Sequence, residues 1–214
     1  MINLILSSVF GIAVFLLLLI VQYLYYKKWK VSKNRMMLLT IITFIFIQID
    51  SIIYFLLLLI PNFNVIIGEA LTLSLILWLI IATLQIILVI YLKKYEKYYT
   101  LPVVICTYII LGLFISDNLY YTSFYLVFAT VFVFGFLFKI GISNRNGLVL
   151  SIGLFSLVYN LSYFILLKSP QIIIQIVAVI PLIFGAIGIF DKYILFDKEK
   201  DEKIICPCSY HLQE

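Results

Sequence analysis

Charge is what this sequence has least of. Only 12% of its 214 residues are Asp, Glu, Lys or Arg, against about a quarter in an ordinary soluble domain. Arginine occurs only at Arg35 and Arg145, and His211 is the single histidine. One histidine excludes a bis-histidine haem held by this chain alone and most histidine-based metal sites. Three cysteines, Cys106, Cys206 and Cys208, are too few for a disulfide scaffold. There is no phosphate-binding loop, Ser-His-Asp set, HExxH or Gly-x-Ser-Gly pattern. The chain is therefore expected not to be an enzyme and to need no cofactor.

In place of charge there is apolar sequence. The apolar share is 65% and the mean hydropathy is +1.20. A soluble fold of this length cannot bury so much apolar surface, so the bilayer must act as solvent. In hydrocarbon only helices and closed barrels satisfy their own backbone hydrogen bonds. Barrel strands alternate apolar and polar residues, whereas runs such as LSLILWLIIATLQIILVI are continuous. The fold class read from this is all-α: a polytopic membrane protein, a bundle of seven transmembrane helices.

The seven runs are Leu4–Tyr26, Leu38–Ile60, Val65–Leu92, Tyr99–Ile115, Leu119–Phe138, Gly147–Leu167 and Ile172–Phe190. Each approaches the roughly 20 residues that span about 30 Å of hydrocarbon; the fourth is the shortest. Residues 1–196 form the predicted membrane domain and 197–214 a charged cytoplasmic tail. The first run lacks a basic leader and a small-residue cleavage site, so it reads as a retained helix.

The net charge of +5 does not point to nucleic acid, because the basic residues sit in short loops between apolar runs. Lys27, Lys28, Lys30, Lys33 and Arg35 follow the first run. Lys93, Lys94 and Lys97 follow the third, Lys139 and Arg145 the fifth, and a Lys-rich tail the seventh. Strict alternation puts all of these on one side, the cytoplasmic side by the positive-inside rule, with the N-terminus outside. Lys168 alone is left outside. The protein is placed in the cell membrane, with the lipid bilayer as its first partner and anionic lipid heads as contacts of its basic loops. Tyr23, Tyr25, Tyr26, Trp29, Tyr91, Tyr95, Tyr98 and Tyr99 are expected in an inner aromatic belt, and Tyr120, Tyr121 and Tyr125 in an outer one.

The stretch from Lys30 to Pro61 aligns with that from Lys139 to Pro170. Asn34, Arg35, Tyr54, Phe55 and Pro61 pair with Asn144, Arg145, Tyr163, Phe164 and Pro170, and Asp50 falls on Asn160. The alignment predicts parallel repeats, 4–92 and 119–196, with 99–115 as a linker helix and a pseudo-axis along the membrane normal. This arrangement of three, one and three helices resembles the SWEET and PQ-loop transporters. The resemblance covers topology across the chain. The Pro-Gln of Pro170-Gln171 lies between the second and third helices of a repeat, away from that family's usual signature, so no functional residue is carried over.

Asp50 carries the strongest chemistry. It lies about twelve residues into the second run, roughly 18 Å from the inner boundary. A charge there costs about 2.5–3.5 kcal/mol on insertion scales, so such residues face a cavity or a partner. Thr43, Ile47, Asp50 and Tyr54 share one helical face, as do Gly153, Ser156, Asn160 and Tyr163. Asp50, Tyr54, Asn160 and Tyr163 are the predicted substrate-binding set of a small-solute carrier with a midplane site between the repeats. The competing reading is a carboxyl that simply bonds a neighbouring helix, in a membrane sensor or an accessory subunit of a larger complex. Self-association or membrane-complex partners fit either. Gln48, Gln85 and Gln175 read as interhelical hydrogen-bonding groups. Glu69 is expected near the outer end of the third span, facing water or pairing with Lys168. Pro181, Gly185 and Gly188 predict a kink beside close packing. The Cys206, Cys208 and His211 cluster has no standard zinc spacing.

Overall fold

A computed structural model describes residues 2–59, 66–116, 119–164 and 168–194. Seven α-helices account for nearly all of them: α1 (Ile2–Ser32), α2 (Arg35–Leu59), α3 (Ile66–Leu92), α4 (Thr100–Ser116), α5 (Leu119–Ser143), α6 (Gly147–Ser162) and α7 (Lys168–Ile187). A 3₁₀ turn, Glu96–Tyr98, precedes α4, and a π-type turn, Phe190–Ile194, follows α7. No strand occurs among the described residues. Among the described residues four helices are long and apolar enough to cross a membrane by length and composition: Ile12–Ser32, Arg35–Ile53, Thr72–Leu92 and Leu119–Ser143. Three shorter apolar segments, Thr100–Ile115, Gly147–Ser162 and Ile173–Ile187, accompany them. These apolar helices are compatible with a membrane location.

Helix ends are set by turn chemistry. α3 ends in paired bonds, Tyr95 N–H to Ile90 O at 3.1 Å and Lys94 N–H to Tyr91 O at 3.0 Å. α5 ends the same way, Asn146 N–H to Gly141 O at 2.8 Å and Arg145 N–H to Ile142 O at 3.2 Å. This closure places one residue in the left-handed region, usually glycine. Here Lys94 (φ 58°) and Arg145 (φ 48°) take it, as Lys33 (φ 53°) does after α1. A cation at this point faces the carbonyl end of the helix dipole. Asn34 and Asn146 start the following helices: their side chains accept from Met36 N–H at 2.9 Å and Val149 N–H at 3.1 Å.

Three sequence expectations change here. The cap equivalent to Asn34 is Asn146, two residues beyond its aligned partner Asn144, so the Asn-Arg match of the repeat alignment does not coincide with helix starts. Lys168, Ser169 and Pro170, expected between the sixth and seventh runs, form the first turn of α7, where a proline has no helical N–H to forfeit. Tyr25 and Tyr125 leave the aromatic belts: both are buried, and each bonds a hydroxyl on another helix. Tyr23, Tyr95, Tyr120 and Tyr121 are exposed, as a belt requires. Glu69 and Lys168 have side chains outside the described ones. Pro61 and the Cys206, Cys208 and His211 cluster lie outside the described residues.

The helices close a ring: α1 packs on α2, α2 on α3, α3 on α5, α5 on α6, α6 on α7, and α7 back on α1. α4 stands outside the ring, mainly against α3. Much of its surface is open, with Val104, Tyr108 and Ile115 at 63%, 79% and 85% exposure. Within lipid, helices gain little from hiding apolar surface from one another, so close fit and polar contacts hold them together. The fit is tightest on α6. A Cβ on Gly185 of α7 would collide with Ser151, and one on Gly141 of α5 would lie 2.8 Å from the Leu150 backbone. Gly185 therefore provides the close packing expected of it. Gly188 (φ 82°) ends α7, and the chain turns so that Asp191 Oδ1 accepts from Gly147 N–H at 2.6 Å. The carboxylate caps the start of α6, where the dipole favours negative charge.

Candidate functional site

α3 organises the interior. Its side chains reach α2, α5 and α6 at successive turns. Ser74 Oγ donates to Asp50 Oδ1 at 2.7 Å. Trp78 stacks on Tyr159 at 4.7 Å between ring centroids and leans on Tyr163 at 5.3 Å. Thr83 Oγ1 donates to Leu79 O at 2.7 Å, so Tyr125 of α5 donates to Thr83 across 2.9 Å. Gln85 Oε1 accepts from Asn160 Nδ2 at 3.0 Å.

The predicted residues separate along this helix. Asp50 is 9% exposed and Asn160 2%, and both bond α3. Their partners, Ser74 and Gln85, are eleven residues apart, about 16 Å of helix rise. A second link runs through Tyr159, beside Asn160 in sequence, which interacts electrostatically with Asp50. Tyr163 caps the C-terminus of α6, half-buried, with its hydroxyl on Ser123 of α5. Tyr54 lies in α2, and its side chain is outside the described ones.

Between these polar points runs a column of aromatic rings. Tyr25 meets Phe44 edge-on at 5.5 Å, Phe44 meets Phe155 edge-on at 5.8 Å, and Phe155 stacks on Tyr159 at 5.2 Å. Trp78 and Tyr163 extend the column. Each such pair adds about 0.5–1.5 kcal/mol beyond its buried area. At the other end Tyr25 hydrogen-bonds Ser151 Oγ at 3.2 Å. Ser151 donates to Leu148 O at 2.8 Å, so the tyrosine is the donor.

Several buried polar atoms have no hydrogen-bond partner among the described residues: Gln48 Nε2, Gln85 Nε2, Asn160 Oδ1, Ser156 Oγ and Thr122 Oγ1. Burying such groups unpaired costs about 1–3 kcal/mol each. Gln85 and Asn160 thus hold one bond together while Gln85 keeps a spare donor and Asn160 a spare acceptor. Ser156 lies one turn before Asn160 on the same face of α6. This set can bind a neutral or zwitterionic polar group that both donates and accepts.

Sequence reasoning missed Ser74, Trp78 and Tyr159. Ser74 and Trp78 carried no signal within an apolar run, and Tyr159 was overshadowed by Asn160. Among the described residues there is no group of three or more His, Cys, Asp or Glu able to hold a metal. Comparison of the chain with protein-family models, with curated proteins and with solved structures finds no match.

Proposed function

We propose that this protein is a seven-span carrier of a small polar solute in the cell membrane, with its N-terminus outside and its C-terminus in the cytoplasm. The observation that carries the reading is the buried polar set along α3, from Asp50 and Ser74 to Gln85 and Asn160, with unpaired donor and acceptor atoms. An ionisable residue in a membrane interior is costly and marks a substrate or ion path by default, and Asp50 is such a residue. The ring order supports two parallel halves: α1–α3 and α5–α7 meet at two seams, α3 on α5 and α7 on α1, which a pseudo-two-fold axis would exchange. α4 then supplies the extra crossing that keeps the halves parallel. In this reading Asp50 with Ser74 and Asn160 with Gln85 are successive polar stations for the solute, about 16 Å apart along α3, Tyr54 and Tyr163 are the further residues proposed to contact it, and the Trp78–Tyr159 stack is the barrier that must open.

The test is uptake of a solute panel into proteoliposomes, with Asp50→Asn and Asn160→Leu beside the parent. Asp50→Asn keeps the size and can still accept from Ser74. Loss of uptake by about tenfold or more, equivalent to roughly 1.4 kcal/mol, with thermal stability unchanged, is expected. Uptake indifferent to both substitutions would remove Asp50 and Asn160 as its site, and no uptake of any solute by the parent would remove the carrier reading.

A second reading, a membrane sensor or an accessory subunit of a larger complex, draws on the aromatic column, which packs the ring's interior where a solute would pass. It predicts stable co-purification of a membrane partner and no exchange of any solute in the panel.

A further inference from the structure

At the basic end of the bundle a groove of about 660 Å³ opens between the start of α2, the end of α3 and the start of α4. Its volume is within the roughly 300–1,000 Å³ of small-molecule sites. Its walls share one pattern. On α2, Arg35 at the mouth is followed one turn deeper by Leu38 and Leu39. On α3, Tyr91 is followed one turn deeper by Ile87, and at the start of α4, Thr100 and the preceding Tyr99 are followed by Val103 and Val104. Each helix passes from polar to apolar in the same direction over about 5.4 Å. A groove built this way matches an amphiphile, head at the mouth and chain below.

The charge at the mouth selects the head. Arg35 is exposed at the first position of α2, and its planar fork suits a phosphate oxygen pair. The segment that joins the α3 wall to the α4 wall carries three cations, Lys93, Lys94 and Lys97, against one acidic residue, Glu96. No acidic residue lines the described groove. A quaternary ammonium head would meet these cations, whereas a phosphodiester with an uncharged head would be attracted. The apolar walls open sideways, because α4 stands outside the ring and leaves Val103 and Val104 exposed at 47% and 63%. A lipid can therefore enter from the bilayer without any helix moving.

We infer that this groove is a binding site for an anionic phospholipid, its phosphate on Arg35 and one acyl chain between α2, α3 and α4. The site rests on the membrane reading and does not depend on transport. It ties the peripheral α4 to the ring, so the lipid serves as packing for that helix.

The test is native mass spectrometry of the purified full chain in detergent, titrated with phosphatidylglycerol or phosphatidylcholine. One phosphatidylglycerol is expected to stay bound under activation that strips phosphatidylcholine. Arg35→Gln should lower its retention about fivefold, the effect of one basic residue near a membrane surface, and Arg145→Gln, on another loop at this end, should leave it unchanged. Val104→Trp, which fills the chain trough with Arg35 intact, should also displace the lipid and covers the case in which Arg35→Gln fails to fold. Water-soluble glycerophosphoglycerol should not compete. Equal retention of both lipids by the parent, equal effects of Arg35→Gln and Arg145→Gln, an unaffected Val104→Trp, or displacement by the soluble head alone would each overturn the site. Release of the chain from membranes by alkaline carbonate would instead defeat the membrane reading.

Discussion

Single atoms decide several contacts in this bundle. A methyl group on Gly185 would occupy the space of the Ser151 hydroxyl. Gly185→Ala is therefore expected to cost about 1–3 kcal/mol through overpacking, seen as a lower thermal midpoint in detergent; an unchanged midpoint would show that α6 and α7 are farther apart. Tyr25 and Ser151 give an asymmetric pair. Removing the tyrosine hydroxyl leaves Ser151 still bonded to Leu148 O, whereas Ser151→Ala leaves a fully buried phenol without its acceptor. Ser151→Ala should thus destabilise more than Tyr25→Phe, by about 1 kcal/mol. The reverse order would mean that the donor has been assigned backwards. Asp191→Ala removes the cap on Gly147 N–H and should lower stability by about 1 kcal/mol, again read as a thermal midpoint.

At the scale of elements, α4 differs from its neighbours. It rests mainly on α3, while α6 is wedged between α5 and α7. In detergent micelles its amides should exchange with deuterium ahead of those of α6, since protection follows packing. Protection equal to that of α6 would point to an additional lateral partner. The helices themselves were legible in the sequence because an apolar run of about 20 residues has few other fates in lipid. The start of α6 at Gly147 was legible too, whereas α5 runs past the predicted close at Phe138 to Ser143, because a lysine near a helix end does not stop the helix. The partners across helices were not. α3 is apolar on every side, so its pattern does not say which face meets Asp50 and which meets Asn160. A tyrosine near a span end suits both a headgroup belt and a buried hydroxyl pair, and only the packing of α6 and α3 draws Tyr25 and Tyr125 inward. Pro170 misled for a related reason: proline breaks a helix interior yet is welcome in a first turn. Asp50 was readable as the costly residue of α2, but its first partner was an unremarked serine.

For the whole molecule, orientation gives the most direct check. Starting from a chain with its cysteines changed to serine, Asn118→Cys should react with an impermeant maleimide from outside intact cells. Lys94→Cys should react only after the cells are opened. Labelling of both from one side would remove α4 as a crossing and reverse the second half of the bundle. Closure of the ring by α1 and α7 also orders events in time. The ribosome releases α1 first and α7 last, so the first helix waits in the membrane for its final neighbour until synthesis is complete. Until α6 arrives, the Tyr25 hydroxyl has no Ser151 to meet. An unfinished chain thus bears a polar mark that the finished one conceals, and membrane quality control can read it. Chains truncated after Ser143 should be cleared faster than the same truncation carrying Tyr25→Phe, as followed by pulse-chase; equal lifetimes would show that the waiting hydroxyl goes unread.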